Sequence, residues 1–250
     1  MSERADTTDP SRRGFLRRAV AAAAAVTIAP GISLVRLADA RPPDQRVTDA
    51  NRWGLLVDAS KCADGCGACV DACNEENGLK GTGRPATDAQ WIRTVRLRDK
   101  ATGRETRMPY MCQHCEHPPC VDVCPTGASF RRADGIVLVD RHICIGCRYC
   151  MMACPYKARS FVHEDLTGQK PDVPRGKGCV ESCTLCVQRV DAGDRSTACA
   201  DACAKAGHRA IVFGDLKDPK SEIFDLLAKL PTRQIREDLD LNTGVRYHGV

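Results

Sequence analysis

Sixteen of the seventeen cysteines in this 250-residue chain fall into four groups of four, and this grouping constrains the fold more than any other feature. The groups span residues 62–73, 112–124, 144–154 and 183–203. Gaps of two to four residues separate neighbouring cysteines, except for one gap of twelve residues in the last group. Thiols at such spacings converge on a shared centre, so we expect a chain organised around cysteine-lined sites.

The third group has the spacing Cys144-x2-Cys147-x2-Cys150-x3-Cys154-Pro155, which is the ferredoxin pattern for [4Fe–4S] clusters. In this pattern three thiolates from one tight loop meet three irons of a cuboidal cluster. The fourth cysteine points away as the chain turns into a helix, and it ligates the other cluster of a pair. The four groups therefore predict four [4Fe–4S] clusters.

The predicted ligands are the sixteen grouped cysteines: Cys62, Cys66, Cys69, Cys73, Cys112, Cys115, Cys120, Cys124, Cys144, Cys147, Cys150, Cys154, Cys183, Cys186, Cys199 and Cys203. Two other roles for these thiols stay open. Zinc ribbons use paired C-x2-C knuckles, although without the trailing x3-Cys-Pro. Exported proteins form disulfides, although these need no groups of four and fit an odd total poorly.

Three further residues lie close to the cysteine groups. Cys179 is either a buried thiol without a ligand role or an alternative ligand for the fourth group. His114 and His117 lie inside the second group. Because four thiols are already present there, we expect both histidines to tune the potential of a cluster rather than to ligate it.

The composition agrees with this interpretation. Aromatic residues make up only 4% of the chain, so large apolar side chains alone provide a small core. The fold therefore needs another source of stability. The formal net charge is +5, but each cluster with its four thiolates adds about −2, roughly −8 in total. The loaded chain is then weakly acidic, and we expect no nucleic-acid partner.

The first forty residues have the features of an export signal. Arg12 and Arg13 precede an alanine-rich apolar run over residues 19–34, and Ala38-Asp39-Ala40 forms a small-x-small cleavage pattern. A twin arginine before a modest apolar run is typical of the Tat pathway. The alternative is a retained membrane anchor, but a spanning helix needs about 20 strongly apolar residues. We therefore expect a Tat signal over 1–40, a periplasmic protein and an N-terminal extension over 41–51.

Short apolar runs lie between the cysteine groups. Strands are predicted at residues 55–58, 91–97, 136–140 and 211–214, and a helix at 221–230. Strand, cysteine loop, short helix and strand is a ferredoxin-like order, here doubled. The sequence predicts an α+β fold of two interlocked ferredoxin-like modules over 52–214. A C-terminal helix and tail follow over 215–250, and the tail either wraps the body or docks onto a partner.

Several motifs carry a family resemblance over about residues 52–230. They are Cys112-x2-Cys115-x2-Pro118-Pro119-Cys120-x3-Cys124-Pro125, Cys144-Ile145-Gly146-Cys147-Arg148-Tyr149-Cys150, Ala153-Cys154-Pro155-Tyr156 and Gly214-Asp215-Leu216-x-Asp218-Pro219-x-Ser221. On these motifs the chain resembles the four-cluster iron–sulfur subunits of membrane-associated molybdopterin and related oxidoreductases.

The resemblance implies how the cysteines are shared among the clusters, because in this family the outer two groups pair and the inner two groups pair. Carried onto this chain, the implied ligand sets are Cys62/Cys66/Cys69/Cys203, Cys183/Cys186/Cys199/Cys73, Cys112/Cys115/Cys120/Cys154 and Cys144/Cys147/Cys150/Cys124.

The resemblance also implies an electron-transfer subunit that is not an enzyme by itself. Its expected partners are an integral membrane quinone-interacting subunit and a multihaem cytochrome c, with peripheral attachment to the inner membrane through them. The leader and the segments 61–66 and 178–183 are most similar to subunits of transmembrane complexes linked to dissimilatory sulfite reductase. A molybdopterin partner, of the tetrathionate or polysulfide type, a nitrite reductase complex, and a non-redox zinc or disulfide module remain as alternatives.

Overall fold

A computed structural model describes residues 46–250 of the chain. The expected export signal over 1–40 lies outside the described residues, as does the first part of the expected extension over 41–51. Within the described part, no helix is both long enough and apolar enough to cross a membrane.

The central sheet has four strands and joins the two ends of the described chain. Its strands are β1 (Trp53–Asp58), β8 (Ile211–Asp215), β9 (Thr232–Arg233) and β10 (Val245–His248), in the order β8-β1-β10-β9. β1 pairs antiparallel with β8 and parallel with β10. The parallel register places Leu55 beside Val245 and Val57 beside Tyr247, and all four side chains are fully buried.

Three separate antiparallel pairs lie between β1 and β8 in the chain. They are β2 (Ile92–Arg98) with β3 (Glu105–Met111), β4 (Ser129–Arg131) with β5 (Val137–Val139), and β6 (Ser160–Phe161) with β7 (Val180–Glu181). β2 is buried at Ile92, half-buried over the next three residues and exposed at its last three, because one end packs inward and the other projects into solvent.

The helices are short and most of them carry cysteines. They are α1 (Ala68–Asn77), α2 (Pro119–Asp122), α3 (Tyr149–Ala153), α4 (Val187–Asp191), α5 (Ala198–Lys205) and α6 (Glu222–Lys229). α1 packs against α5, and α2 packs against α3. The chain therefore brings the first cysteine group to the fourth and the second to the third.

The predicted C-terminal helix corresponds to α6, which packs on β8. Ser221 begins this helix as its N-cap, where its Oγ accepts a hydrogen bond from the backbone N–H of Phe224 at 3.3 Å. Capping by serine satisfies one of the free N–H groups of the first turn. The inward face of the helix is held by Ile223, which is fully buried.

The cysteines themselves form much of the interior. The largest group of buried apolar residues joins the central sheet to Cys69, Cys73, Cys199 and Cys203. Two smaller groups form around Cys112, Cys115 and Cys154, and around Cys120 and Cys150. The protein therefore has its cysteine-lined sites where an ordinary domain has aliphatic side chains.

The α+β class is confirmed, since small sheets and short helices alternate along the chain. The predicted strands at 55–58, 91–97, 136–140 and 211–214 correspond to β1, β2, β5 and β8. The tail wraps the body: β10 lies between β1 and β9, inside the central sheet.

Candidate iron–sulfur cluster sites

The first site joins the start and the end of the cysteine pattern. Cys62 and Cys66 lie in the loop before α1, Cys69 lies in the first turn of α1, and Cys203 lies in α5. These four thiols line one small cavity. The backbone N–H of Ala210 donates a hydrogen bond to Cys203 Sγ at 3.1 Å.

The second site lies beside the first, at the other end of the same two helices. A second small cavity is lined by Cys73 of α1, Cys199 of α5, Cys183 and Cys186. Cys73 and Cys199 are both buried. Along α1, Cys69 and Cys73 are four residues apart and therefore lie on the same face of the helix.

The inner pair of helices repeats this geometry. Cys120 of α2 and Cys154, the C-cap residue after α3, line a third cavity together with Cys112 and Cys115. The spacing from Cys120 to Cys124, like that from Cys150 to Cys154, is again four residues. When two such helical segments pack in opposite directions, each segment gives one cysteine to each of two neighbouring sites.

The fourth site is the most exposed. Cys124 and Cys144 lie close enough to Cys150 for their thiols to raise its pKa, although burial of Cys150 is the larger cause. Cys147 lies in the loop between Cys144 and Cys150 and is exposed, whereas Cys124 and Cys144 are half-buried. This site is therefore the one at which an electron has the shortest path to the surface.

Burial has a clear effect on the thiols of the other three sites. It raises the pKa of Cys69 and of Cys199 to about 11, and the pKa of Cys112 to about 12. Neighbouring thiols add to the rise in each case, since two nearby thiolates repel. Thiols in this state are neutral at pH 7, so iron must displace their protons when it binds.

Two of the cavities are lined by hydrogen-bond donors that have no acceptor in the part of the chain that the structure describes. Trp91 Nε1 and Thr184 Oγ1 line the second cavity, and Arg159 Nε and Nη1 line the third, all of them buried. Buried donors are costly to leave unpaired. Inorganic sulfide and thiolate sulfur both accept hydrogen bonds, so the residues present fit a [4Fe–4S] cluster in each cavity.

Other donors reach the cysteine sulfurs directly, and such bonds tune the potential of a bound cluster. The donor–sulfur distances are 3.1 Å for Arg159 Nη2 to Cys120, 3.3 Å for Ser129 N to Cys124, 3.3 Å for Thr197 Oγ1 to Cys199, 3.5 Å for Asn77 Nδ2 to Cys73 and 3.5 Å for Leu185 N to Cys183.

The structure separates Cys179 from the fourth group. Its thiol donates to the backbone carbonyl of Arg141 at 3.3 Å and lies near Cys144, a member of the third group. Cys179 is not among the residues that line the second cavity, to which Cys183 and Cys186 contribute. His114 is buried beside the second group, and His117 is exposed.

Sequence reasoning did not find Arg159, Trp91 or Thr184 as site residues. Arg159 follows Cys154 by five residues, and its sequence position alone resembles that of a surface cation. The signal that identifies it is burial, since only 6% of the residue is exposed. Trp91 and Thr184 are likewise recognisable only from the cavity that they line.

The fold and these sites define a four-cluster, ferredoxin-type electron carrier. Comparison with protein families agrees, because the 4Fe-4S dicluster domain matches this chain twice, at residues 61–128 and at residues 105–215. The protein accordingly holds four [4Fe–4S] clusters. It is an electron-transfer subunit of an oxidoreductase complex and is not catalytic by itself.

Relatives align over most of the chain. The Hdr-like menaquinol oxidoreductase iron-sulfur subunit 1 of Archaeoglobus fulgidus is 41% identical over 95% of this chain and 97% of its own length. A tetrathionate reductase subunit of Salmonella typhimurium is 36% identical, over 88% of this chain and 79% of its own. Protein NrfC of Escherichia coli is 38% identical, over 80% of each chain. The chain belongs to this family of iron–sulfur subunits of oxidoreductase complexes.

Proposed function

We propose that this protein is a periplasmic subunit that relays single electrons through its four clusters between a membrane quinone-interacting subunit and a second redox partner. The observation that carries the proposal is the fourth site, where Cys147 is exposed while the cysteines of the second and third cavities are buried or half-buried. A relay between two partners requires a cluster near the surface at each end. Cys147 marks one end, and the half-buried Cys62 and Cys66 of the first site mark the other.

The relay needs each cluster to be held by one set of four thiols. We assign Cys62/Cys66/Cys69/Cys203, Cys183/Cys186/Cys199/Cys73, Cys112/Cys115/Cys120/Cys154 and Cys144/Cys147/Cys150/Cys124, on the cavities that the first three sets line and on the electrostatic contacts among Cys124, Cys144 and Cys150. Each [4Fe–4S]2+ cluster accepts one electron and becomes [4Fe–4S]+.

Two serine variants test this assignment. We expect C203S to lower the iron content of anaerobically purified protein from about sixteen to about twelve per chain, because it removes one ligand of one cluster. C179S is the matched control, since Cys179 is also buried but lies outside the three cavities. Full iron in C203S, or a loss in C179S, would contradict the ligand sets.

Several apolar side chains around the fourth site are exposed. Three of its side chains are strongly exposed, namely Ile145 at 67%, Met152 at 63% and Tyr149 at 53%. Permanent interfaces bury more apolar surface than transient ones. We therefore assign this surface to the permanent partner, the membrane quinone-interacting subunit, whose binding would cover the exposed cluster edge.

The docking surface is tested by co-purification. A tagged protein with the double change I145S and M152S is expected to lose its membrane subunit while it keeps its clusters. The control changes Leu97 and Phe224 to serine, since these apolar side chains are exposed elsewhere, at 41% and 39%. Equal recovery of the membrane subunit from both variants would exclude the proposed face.

Within the family, we propose the type found in transmembrane complexes linked to dissimilatory sulfite reductase, the DsrO type, with a multihaem cytochrome c as the second partner. A relative named as a menaquinol oxidoreductase subunit supports the link to a quinol. The second candidate is a molybdopterin partner, which the tetrathionate reductase relative favours. Mass spectrometry of co-purified proteins separates them: a multihaem cytochrome supports the first, and a molybdopterin protein supports the second.

Export by the Tat pathway is part of the proposal, and it rests on Arg12, Arg13 and the pattern that ends at Ala40. A double change of Arg12 and Arg13 to lysine is expected to leave the protein in the cytoplasm. Processing is checked by determining the N-terminus of the exported chain. Export of the lysine variant at the wild-type level would argue against this route.

A further inference from the structure

The two inner cluster sites share one buried arginine. Arg159 lies just before β6, and only 6% of it is exposed. Its Nη2 donates to Cys120 Sγ at 3.1 Å and to Ser129 Oγ at 2.8 Å. Cys120 belongs to the third cavity, which Arg159 also lines.

The same arginine reaches the fourth site. Cys150 is close enough to the guanidinium for an attractive electrostatic interaction. Ser129, which holds Nη2 through its hydroxyl, donates its backbone N–H to Cys124 Sγ at 3.3 Å. One cation therefore touches the third site directly and the fourth site both through space and through Ser129.

Two nitrogens of the guanidinium have no hydrogen-bond acceptor among residues 46–250. Nε and Nη1 are buried and donate to no acceptor in the described part of the chain. A buried cation with free donors is costly unless negative charge lies beside it. The sulfurs of the inner clusters supply that charge, since a cluster with four thiolates carries about −2 when oxidised and about −3 when reduced.

We propose that Arg159 raises the reduction potentials of both inner clusters and thereby sets them apart from the outer pair. A fixed positive charge stabilises the more negative, reduced state of a cluster more than the oxidised state. The effect is strong here because the guanidinium is shielded from water. Arginine suits this role because its guanidinium stays charged in proteins and presents its donors in a rigid fork.

This inference rests on the proposed ligand sets of the inner pair, and the experiment keeps the two apart. A wrong ligand set would be detected by the iron content of the cysteine variants. The role of Arg159 is measured in full-length protein that retains about sixteen irons. The readout is the midpoint potential of each cluster, from an EPR-monitored titration with dithionite as the reductant.

In R159M the positive charge is lost, and we expect two of the four midpoints to shift to lower potential while the other two stay unchanged. R159K keeps the positive charge but loses the planar array of guanidinium donors, and we expect a smaller shift of the same two midpoints. R132K is the matched control for R159K, since Arg132 is half-buried and paired with Asp134 and Asp191. R96M is the control for charge alone, because Arg96 is exposed on β2.

Unchanged midpoints in fully loaded R159M would overturn the proposal, and so would an equal shift of all four. If R159M fails to assemble its clusters, R159Q decides, because glutamine is also neutral but keeps side-chain donors. A lowering confined to two midpoints supports the proposal, whereas unchanged midpoints refute it. Loss of the inner clusters from R159Q as well would give Arg159 a purely structural role and also refute it.

Discussion

The imidazole Nδ1 of His114 accepts a hydrogen bond from the backbone N–H of Val137 at 3.1 Å. A nitrogen that accepts carries no proton, so the ring is neutral with its proton on Nε2. Burial lowers the pKa of His114 to about 3, and the nearby cation of Arg159 adds to the effect. The second cysteine group is thus tied to β5 through an imidazole that resists protonation.

This contact predicts that the folded protein loses stability in mild acid. Because the pKa of His114 is lower in the folded state than in the unfolded state, the unfolded chain binds more protons between about pH 6.5 and pH 3. The stability from the neutral ring is complete above this range and is lost as the pH falls through it.

The variant H114N retains an acceptor for Val137 without a group that titrates there. Between about pH 6 and pH 4 we expect it to lose less stability than the wild type, by up to about 1.4 kcal/mol per pH unit. Melting temperatures of the two loaded proteins across this range provide the measurement, and parallel losses would contradict the assigned neutral ring.

The loop of the third cysteine group depends on Gly146. Its φ of +69° is left-handed, and a Cβ there would lie 2.2 Å from the carbonyl oxygen of Gly178. We expect G146A to lose about four irons per chain, because the loop that carries Cys144 and Cys147 cannot close. G168A is the control, since Gly168 has a similar φ of +62° but nothing within 4 Å. Equal iron in both variants would show that the close approach is unimportant.

A buried ion pair holds the segment before the fourth group. Arg175 donates from Nη2 and Nε to the two carboxylate oxygens of Glu181, at 2.6 and 3.0 Å. Their side chains are 7% and 1% exposed. We expect E181Q to lower the free energy of unfolding by about 3–5 kcal/mol, because it leaves a buried cation without its counter-charge.

Denaturant titration of the loaded protein measures this effect. The control is D238N, which breaks the exposed pair of Asp238 with Arg236 and is expected to leave the midpoint unchanged. A midpoint for E181Q within error of the wild type would mean that water or another group replaces the carboxylate.

The C-terminal strand is expected to carry much of the stability of the central sheet. Val245 is fully buried beside Leu55, whereas Val250 is 43% exposed. We therefore expect V245A to cost about 2 kcal/mol and V250A to cost almost nothing. Thermal unfolding compares the two. A small effect of V245A would indicate that β10 separates from β1 before the rest of the sheet unfolds.

The sequence determined the features that depend on neighbours along the chain. The gaps within the cysteine groups predict tight loops followed by helical turns, and Ser221 before an apolar helical pattern predicts the start of α6. The strands at residues 55–58 and 211–214 follow in the same way. These predictions succeed because loop closure, capping and side-chain periodicity act over a few residues.

Only the tertiary structure decided which distant segments meet. β10 looked like a polar tail because its four residues carry too short a pattern to indicate a strand, yet it pairs with β1 about 190 residues earlier. Arg159 looked like a surface cation, and its burial depends on how α2, β4 and the loop before β6 pack together. The distribution of thiols among cavities likewise comes from the packing of α1 on α5 and of α2 on α3. Contacts between distant segments are set by the burial of whole surfaces and not by local spacing.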